Sequence, residues 1–297
     1  MNKAVKIILT VSLGILVIGI LAVILGIRFG GSTNWGVDFG TMKYTDHSSV
    51  VEKTIELKDF DYLTVDVSSM DILLKTGDSY KIEYKAEEGR EPVIEESNGK
   101  LKITQSPQSF RFFGININSL DEYYTITVPE GAGQIDINAK TSSGDIMTDH
   151  VNISGKLHAS SGDILVSNSE GKELDLSASS GEIKCDSVKA DKVEIDVSSG
   201  EIELLRVFAD DLKCETSSGD ININETEVSD FDAHASSGEV TACLIGDEDD
   251  FSYELKASSG DIKLNGQKIE DKYEKDNGTD NKIKIKTSSG DIDITVK

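Results

Sequence analysis

Ser-Ser-Gly followed by an acid and then Ile or Val recurs eight times through the C-terminal half of this 297-residue chain. The glycines are Gly144, Gly162, Gly181, Gly200, Gly219, Gly238, Gly260 and Gly290. They are spaced by 18, 19, 19, 19, 19, 22 and 30 residues. A short, nearly fixed period means one supersecondary unit that buries its apolar face only against copies of itself. Nineteen residues are too few for a hairpin with a core of its own. They suit one coil of a parallel β-solenoid, with two or three short strands bonded to the coils above and below.

Aligned on the glycine, the repeats alternate with period two, the signature of strands with one buried face. Five residues before it stand Leu157, Leu176, Ile195, Cys214, Ala233, Leu255 and Ile285, and two after it Ile164, Ile183, Ile202, Ile221, Val240, Ile262 and Ile292. These columns are predicted to face the core. Three before the glycine, Ala159, Ala178, Val197, Thr216, Ala235, Ala257 and Thr287 join them. Eight coils at about 4.8 Å each make a rod of roughly 38 Å. No six-residue sub-period appears, so right-handed winding is expected.

The Ser-Ser-Gly is expected to form the corner of each coil: Ser161-Gly162, Ser180-Gly181, Ser199-Gly200, Ser218-Gly219 and Ser237-Gly238. Continued alternation points the second serine inward, where its hydroxyl would satisfy turn backbone groups. The glycine would supply a positive φ or room for close backbone approach. One near-copy, Ser68-Ser69-Met70-Asp71-Ile72, lacks it, so a different turn is expected there.

Residues 51–140 read as an irregular N-terminal β region that begins or caps the stack, and residues 141–297 as the repeat solenoid. Two polar insertions, at 246–250 and 265–281, are expected as surface loops. The final repeat would leave an open edge, with Lys282, Lys284 and Lys286 discouraging another chain from pairing.

Ile7 to Ile27 is an uncharged run of 21 residues. As a helix it spans about 30 Å, enough to cross a bilayer core. Lys3 and Lys6 precede it and place the N-terminus inside, with the remainder outside. Its length, and the Arg28-Phe29-Gly30-Gly31 that follows, favour an uncleaved anchor over a cleaved signal peptide. Residues 1–6 are then a cytoplasmic tail, 7–27 the transmembrane helix and 28–50 a Gly-rich extracellular spacer.

Residues 28–297 carry 54 acidic against 28 basic side chains, a formal charge of −26. That opposes nucleic-acid binding, which needs basic patches for phosphate, and adhesion of this part to an anionic membrane. The three cysteines, Cys185, Cys214 and Cys243, occupy different places in the repeat. Cys185 and Cys243 would lie three coils apart, roughly 14 Å, beyond disulfide reach. All three are read as packing residues.

Thr127-Val128-Pro129, the following QIDINAKTSSGDI, the repeated SSGDI/SSGEI and the closing KIKIKTSSGDIDI resemble a bacterial family of β-strand-repeat domains of unknown function that carries the name "putative adhesin". LiaG-like membrane-anchored proteins are part of it. The resemblance covers residues 50–297 and implies a cell-envelope protein, with a link to envelope stress. It brings no catalytic signature.

Four groups of residues are candidate sites. The acids after the corner glycines, Asp163, Glu182, Glu201, Asp220 and Glu239 among them, would stack about 4.8 Å apart and repel by about 1 kcal/mol per neighbouring pair. Turn N–H groups, outer lysines or bound cations would offset that, turn capping first. His158 and His234 share a column four coils apart, too far for one metal. Paired acids on neighbouring coils could serve glycoside cleavage, but uniform repetition distinguishes no pair. Phe110, Phe112 and Phe113 would plug the open end of the core or contact a partner or the bilayer. No cofactor, nucleic acid or small-molecule substrate is expected. The function expected is a non-catalytic surface binding or scaffold module whose partner is an envelope protein or wall polymer. The alternatives are an accessory or sensory component of an envelope-stress system and, distantly, a glycan-active enzyme.

Overall fold

The computed structural model describes residues 35–38, 43–46, 50–105 and 122–297. Ile7–Ile27, Phe110, Phe112 and Phe113 lie outside the described residues. The chain divides into two compact units. In the first, Trp35–Asp38 pairs antiparallel with Lys43–Asp46, Trp35 opposite Asp46. The second comprises Val51–Ala86, Glu91–Ser106 and Glu122–Lys297 and holds the repeats. Its described residues are all β apart from one 3₁₀ turn, Glu248–Asp250.

The repeats form long bent strands, Ile164–Ala178, Ile183–Val197, Ile202–Ser218 and Ile221–Ser237. They run parallel, each offset 19 residues from the last, so that Ile164, Ile183, Ile202 and Ile221 lie in one row. The predicted core columns are buried: Leu157, Leu176, Ile195, Cys214, Ala233, Leu255 and Ile285 are all fully inaccessible.

Each long strand bends six residues after its corner glycine, at a residue with positive φ: Asn168 (52°), Ser187 (58°), Arg206 (54°) and Glu225 (50°). His150 (56°) does the same one coil earlier. A left-handed residue with a side chain costs about 1–2 kcal/mol. Contacts to the coil beneath offset it. Asn168 Nδ2 donates to Asp149 Oδ1 at 3.1 Å, Arg206 Nε donates to Ser187 Oγ at 3.1 Å, and the Arg206 guanidinium pairs with Asp186. The bend shifts the alternation by one, so Val188 and Val207 face inward. A second shift brings in Leu174, Val193, Leu212 and Phe231, giving each coil three inward runs.

At the Ser-Ser-Gly corner two consecutive side chains point outward. Ser161, Ser180, Ser199, Ser218 and Ser237 are exposed, which corrects the inward placement that unbroken alternation predicts. Backbone groups carry the corner ladder instead: Ser180 N–H donates to the Ser160 carbonyl at 3.1 Å and Ser199 N–H to that of Ser179 at 3.0 Å. The glycines owe their place to close approach, not to a positive φ. A Cβ on Gly162, Gly181, Gly200, Gly219 or Gly238 would stand 1.8–2.0 Å from the carbonyl oxygen of the corner glycine below. Met70 starts the column. Its carbonyl receives Gly144 (2.0 Å to a Cβ there), while its own side chain fills the core.

The stack departs from chain order at both ends. Residues 62–77 lie beneath the Gly144 coil, with Ile72 opposite Ile146. Lys100–Gln105 and Tyr123–Pro129 lie beneath those, with Leu63 opposite Leu101 and Ile72 opposite Tyr124. At the other end the Gly290 coil, Lys282–Ser289 with Ile292–Val296, sits between the Gly238 and Gly260 coils. Ile283 faces Phe231 on one side and Tyr253 on the other. Ten levels result among the described residues, so the stack is longer than the eight coils counted from the glycines.

The last repeat is therefore not an open edge. Lys284 pairs with Asp232 on one neighbour, and Lys282 (3.3 Å) and Lys286 (2.6 Å) with Glu254 on the other. They bind adjacent coils rather than repel a stranger. The outermost levels are closed by antiparallel strands instead. Lys81–Glu87 and Pro92–Ser97 cap one end, with Ile82 opposite Ile126 and Ile94 opposite Ile103. Gln267–Ile269 and Lys272–Lys275, from the predicted surface loop, cap the other, with Lys268 opposite Lys263 and Tyr273 opposite Leu255.

Two outcomes follow from this packing. Gly200→Ala places a methyl group 2.0 Å from the Gly181 oxygen and is expected to cost on the order of 3 kcal/mol, roughly 6–12 °C of melting temperature. Gly133→Ala, with no atom within 4 Å, leaves the melting curve in place. Lys286 and then Lys282 hold the Glu254 carboxyl below the usual carboxylate range. A carboxyl depressed on folding stabilises above its unfolded value, and that contribution is lost as pH falls through the folded one. Protection of the Ile283 and Ile285 amides, corrected for the intrinsic pH dependence of exchange, is expected to fall in acid, and Glu254→Gln to weaken that dependence.

Candidate binding surface

The acid column runs along the corner, where an aspartate with a coil stacked above it meets that coil's backbone. Asp71 Oδ1 accepts the Asp145 N–H at 2.9 Å. Asp145 Oδ1 accepts that of Asp163, Asp163 Oδ1 that of Glu182, Asp220 Oδ1 that of Glu239 and Asp291 Oδ1 that of Asp261, all at 2.8 Å. These charge-assisted bonds offset the repulsion along the column. The extra methylene of glutamate carries its carboxylate elsewhere: Glu182 pairs with Lys184 at 3.0 Å, and Glu201 accepts from Asn222. Among the described residues no group of three or more His, Cys, Asp or Glu side chains is placed to hold a metal ion.

The other singled-out residues stay apart. His158 Nδ1 lies 2.9 Å from Ser177 Oγ, His150 Nδ1 lies 2.8 Å from Asp149, and His234 is exposed on its own coil. All three cysteines are free; Cys185 and Cys214 are buried and Cys243 half-buried. Burial pushes the Cys185 thiol up to about 12 and that of Cys214 up as well. Neither is a nucleophile at neutral pH.

The side of the coil just beyond the positive-φ bend holds a feature that the repeat columns do not announce. Its outward column, eight residues after the corner glycine, reads Glu170, Lys189, Phe208 and Glu227, with Ile245 following through a register shift after Ile223. Phe208 is 39% exposed and Ile245 42%. They line an open hollow of about 590 Å³, with Asp191, Asp210 and Glu227 among its acids and Lys189 its one cation among the described residues. Gly171, Ala190 and Ala209 keep its floor low, and Gly246 with Phe251 bounds it. The signal in the sequence is one aromatic in a charged column, which alternation alone assigns to solvent.

A second hollow, also about 590 Å³, lies over the first side of the coil and is lined by Leu165, Leu205 and Cys243. There the leucines are half-buried and Lys184 is bridged to Glu203 at 2.8 Å and to Glu182. Its charges satisfy one another. In the first hollow the apolar groups are exposed beside an excess of acid, so it is the stronger contact surface.

Coils stacked in parallel, capped at both ends and joined at the corner by aspartate-to-amide bonds define a repeat-built all-β module. The chain belongs to the Toastrack DUF4097 family, which matches residues 60–295. A "putative adhesin" of Bacteroides fragilis NCTC 9343 is 12% identical, with a TM-score of 0.52 over 84% of this chain and 98% of that one. A "putative lipid binding protein" of Parabacteroides distasonis ATCC 8503 is 18% identical, with a TM-score of 0.48 over 84% and 97%. A "putative adhesin" of the same strain is 15% identical, with a TM-score of 0.40 over 84% and 97%. At these identities the first likeness speaks to the fold alone. No curated protein matches the chain significantly.

Asp163→Ala removes the acceptor for the Glu182 amide and is expected to cost about 1 kcal/mol. Asp163→Asn, which keeps the oxygen, is expected to retain most of that stability. Denaturant titration compares the two, and amide exchange at Glu182 reports the bond directly.

Proposed function

We propose that this chain is a non-catalytic binding module of the bacterial cell envelope. Ile7–Ile27 anchors it as a single membrane span, with the N-terminus cytoplasmic and a right-handed β-solenoid outside. No helix among the described residues is long and apolar enough to cross a membrane; the proposed anchor lies outside them. The solenoid acts as a rigid support, and its partner is an envelope protein or a wall polymer.

One observation carries the reading: the hollow in which Phe208 and Ile245 are exposed among acids. An aromatic and an aliphatic side chain left open beside like charges form an interface core with an acidic rim. A partner presenting apolar groups next to basic ones complements it. The corner acids do not compete for this role, because the aspartates among them already accept from backbone amides.

Crosslinking on intact cells identifies what the module holds. Recovery of wall polymer or a surface protein is the expected outcome, and Phe208→Ala is expected to weaken capture about tenfold without changing the melting curve. Exclusive recovery of membrane proteins of a signalling system, insensitive to Phe208→Ala, would favour the accessory role in envelope stress. Depolymerised glycan in place of a bound partner would overturn the non-catalytic reading.

A further inference from the structure

The Gly290 coil reaches its place from far along the chain. Its two neighbours pair with it across sequence offsets of 52 and 30 residues, Phe231 with Ile283 and Tyr253 with Ile283. Ile283, Ile285, Ile292 and Ile294 are fully buried between them. The Gly290 corner closes over the Gly238 oxygen, and the Gly260 corner closes over the Gly290 oxygen. The slot is thus built from residues 230–265, with Asn265 both donating to the Ile294 carbonyl and accepting the Val296 N–H, and its occupant from residues 282–297.

The connection between slot and occupant has a natural division. Gln267–Ile269 and Lys272–Lys275 stay paired to the Gly260 coil. Only residues 276–281, Asp-Asn-Gly-Thr-Asp-Asn, link that cap to the Gly290 coil. Gly278 there has φ 71°. Asn277 Nδ2 donates to the Phe251 carbonyl at 2.8 Å and Thr279 Oγ1 to that of Asp250 at 2.7 Å, the kind of side-chain tie that a hinge can break and remake.

Charge favours the seating of residues 282–297 in the slot against the repulsion that an acidic chain otherwise meets. The chain carries −24. Residues 282–297 hold four lysines, Lys282, Lys284, Lys286 and Lys297, against Asp291 and Asp293. The slot supplies Asp232 and Glu254, to which three of those lysines bind. A basic segment and an acidic receptor on the same acidic chain attract in trans as they do in cis.

We propose that the slot between the Gly238 and Gly260 coils is a strand-acceptor site for a second copy of this chain, and that two copies exchange their 282–297 coils to form a dimer. Every hydrogen bond, buried isoleucine and ion pair of the slot is kept in the exchange, and only the hinge at 276–281 changes course. The inference is independent of the partner proposed for the Phe208 hollow.

The test places a cysteine on each side of the slot, in the full-length chain with Cys243→Ser. Asp232 and Lys284 are register partners, at a spacing of about 4.8 Å that a disulfide spans. Asp232→Cys with Lys284→Cys, oxidised and run on a denaturing non-reducing gel, is expected to give a covalent dimer, and either substitution alone none. Co-expression of the two single variants is expected to give the crosslinked heterodimer. A disulfide that forms only within the monomer, with no heterodimer on co-expression, overturns the proposal. Deletion of Asn277–Asp280 in the otherwise unaltered chain gives a second readout. A hinge too short to fold back is expected to shift the protein to dimer in sedimentation, and a folded monomer would again overturn it.

Discussion

Each corner glycine of this protein closes over the carbonyl oxygen of the corner residue below it, at a distance that excludes even a methyl group. The rest of the fold hangs on that approach. It sets the coils in register, so that one row of isoleucines fills one edge of the core. It also brings each aspartate within reach of the amide above, which turns a ladder of repelling charges into a ladder of bonds. Had the corner residue carried a side chain, the strands would have to separate there, and both effects would go with the contact. Met70 marks the limit of the rule: the register places Glu122, not a glycine, beneath it, and the Glu122 carbonyl accepts the Asp71 N–H.

The inward columns are legible in the sequence because period-two alternation and a 19-residue repeat are independent signals that agree. Leu157, Leu176 and Ile195 satisfy both. The serines mislead for a physical reason: a corner interrupts alternation, so two successive side chains turn outward at Ser179-Ser180 and again at Ser198-Ser199. The positive-φ bend is silent. Asn168, Ser187, Arg206 and Glu225 share neither size nor charge, and the conformation is imposed by the stacked coils rather than by local preference. Coil order is silent for the opposite reason. The repeats are so alike that any corner fits on any other, and only the length of residues 265–281 hints that the chain travels before it returns.

The candidate surface was legible only in fragments. Phe208 stands out in its column once the column is known to face outward, but its meeting with Ile245 requires the register shift after Ile223, which no spacing reveals. The acids were plain in the sequence, while the division of labour among them depends on one methylene. Aspartate reaches the neighbouring amide, and glutamate passes it to find Lys184 or Asn222.

The two ends of the stack are solutions to one problem, run in opposite chain directions. At each, strands between the inner and the outer coil fold back antiparallel to seal the outermost level. The antiparallel pairings that seal each end involve none of the long strands from Ile164 to Ser237. The middle can therefore gain or lose whole 19-residue units while both seals stay as they are. The length of the module is then open to change in whole repeats, and the distance at which it displays a surface can be tuned like that of an extension tube between two fixed fittings.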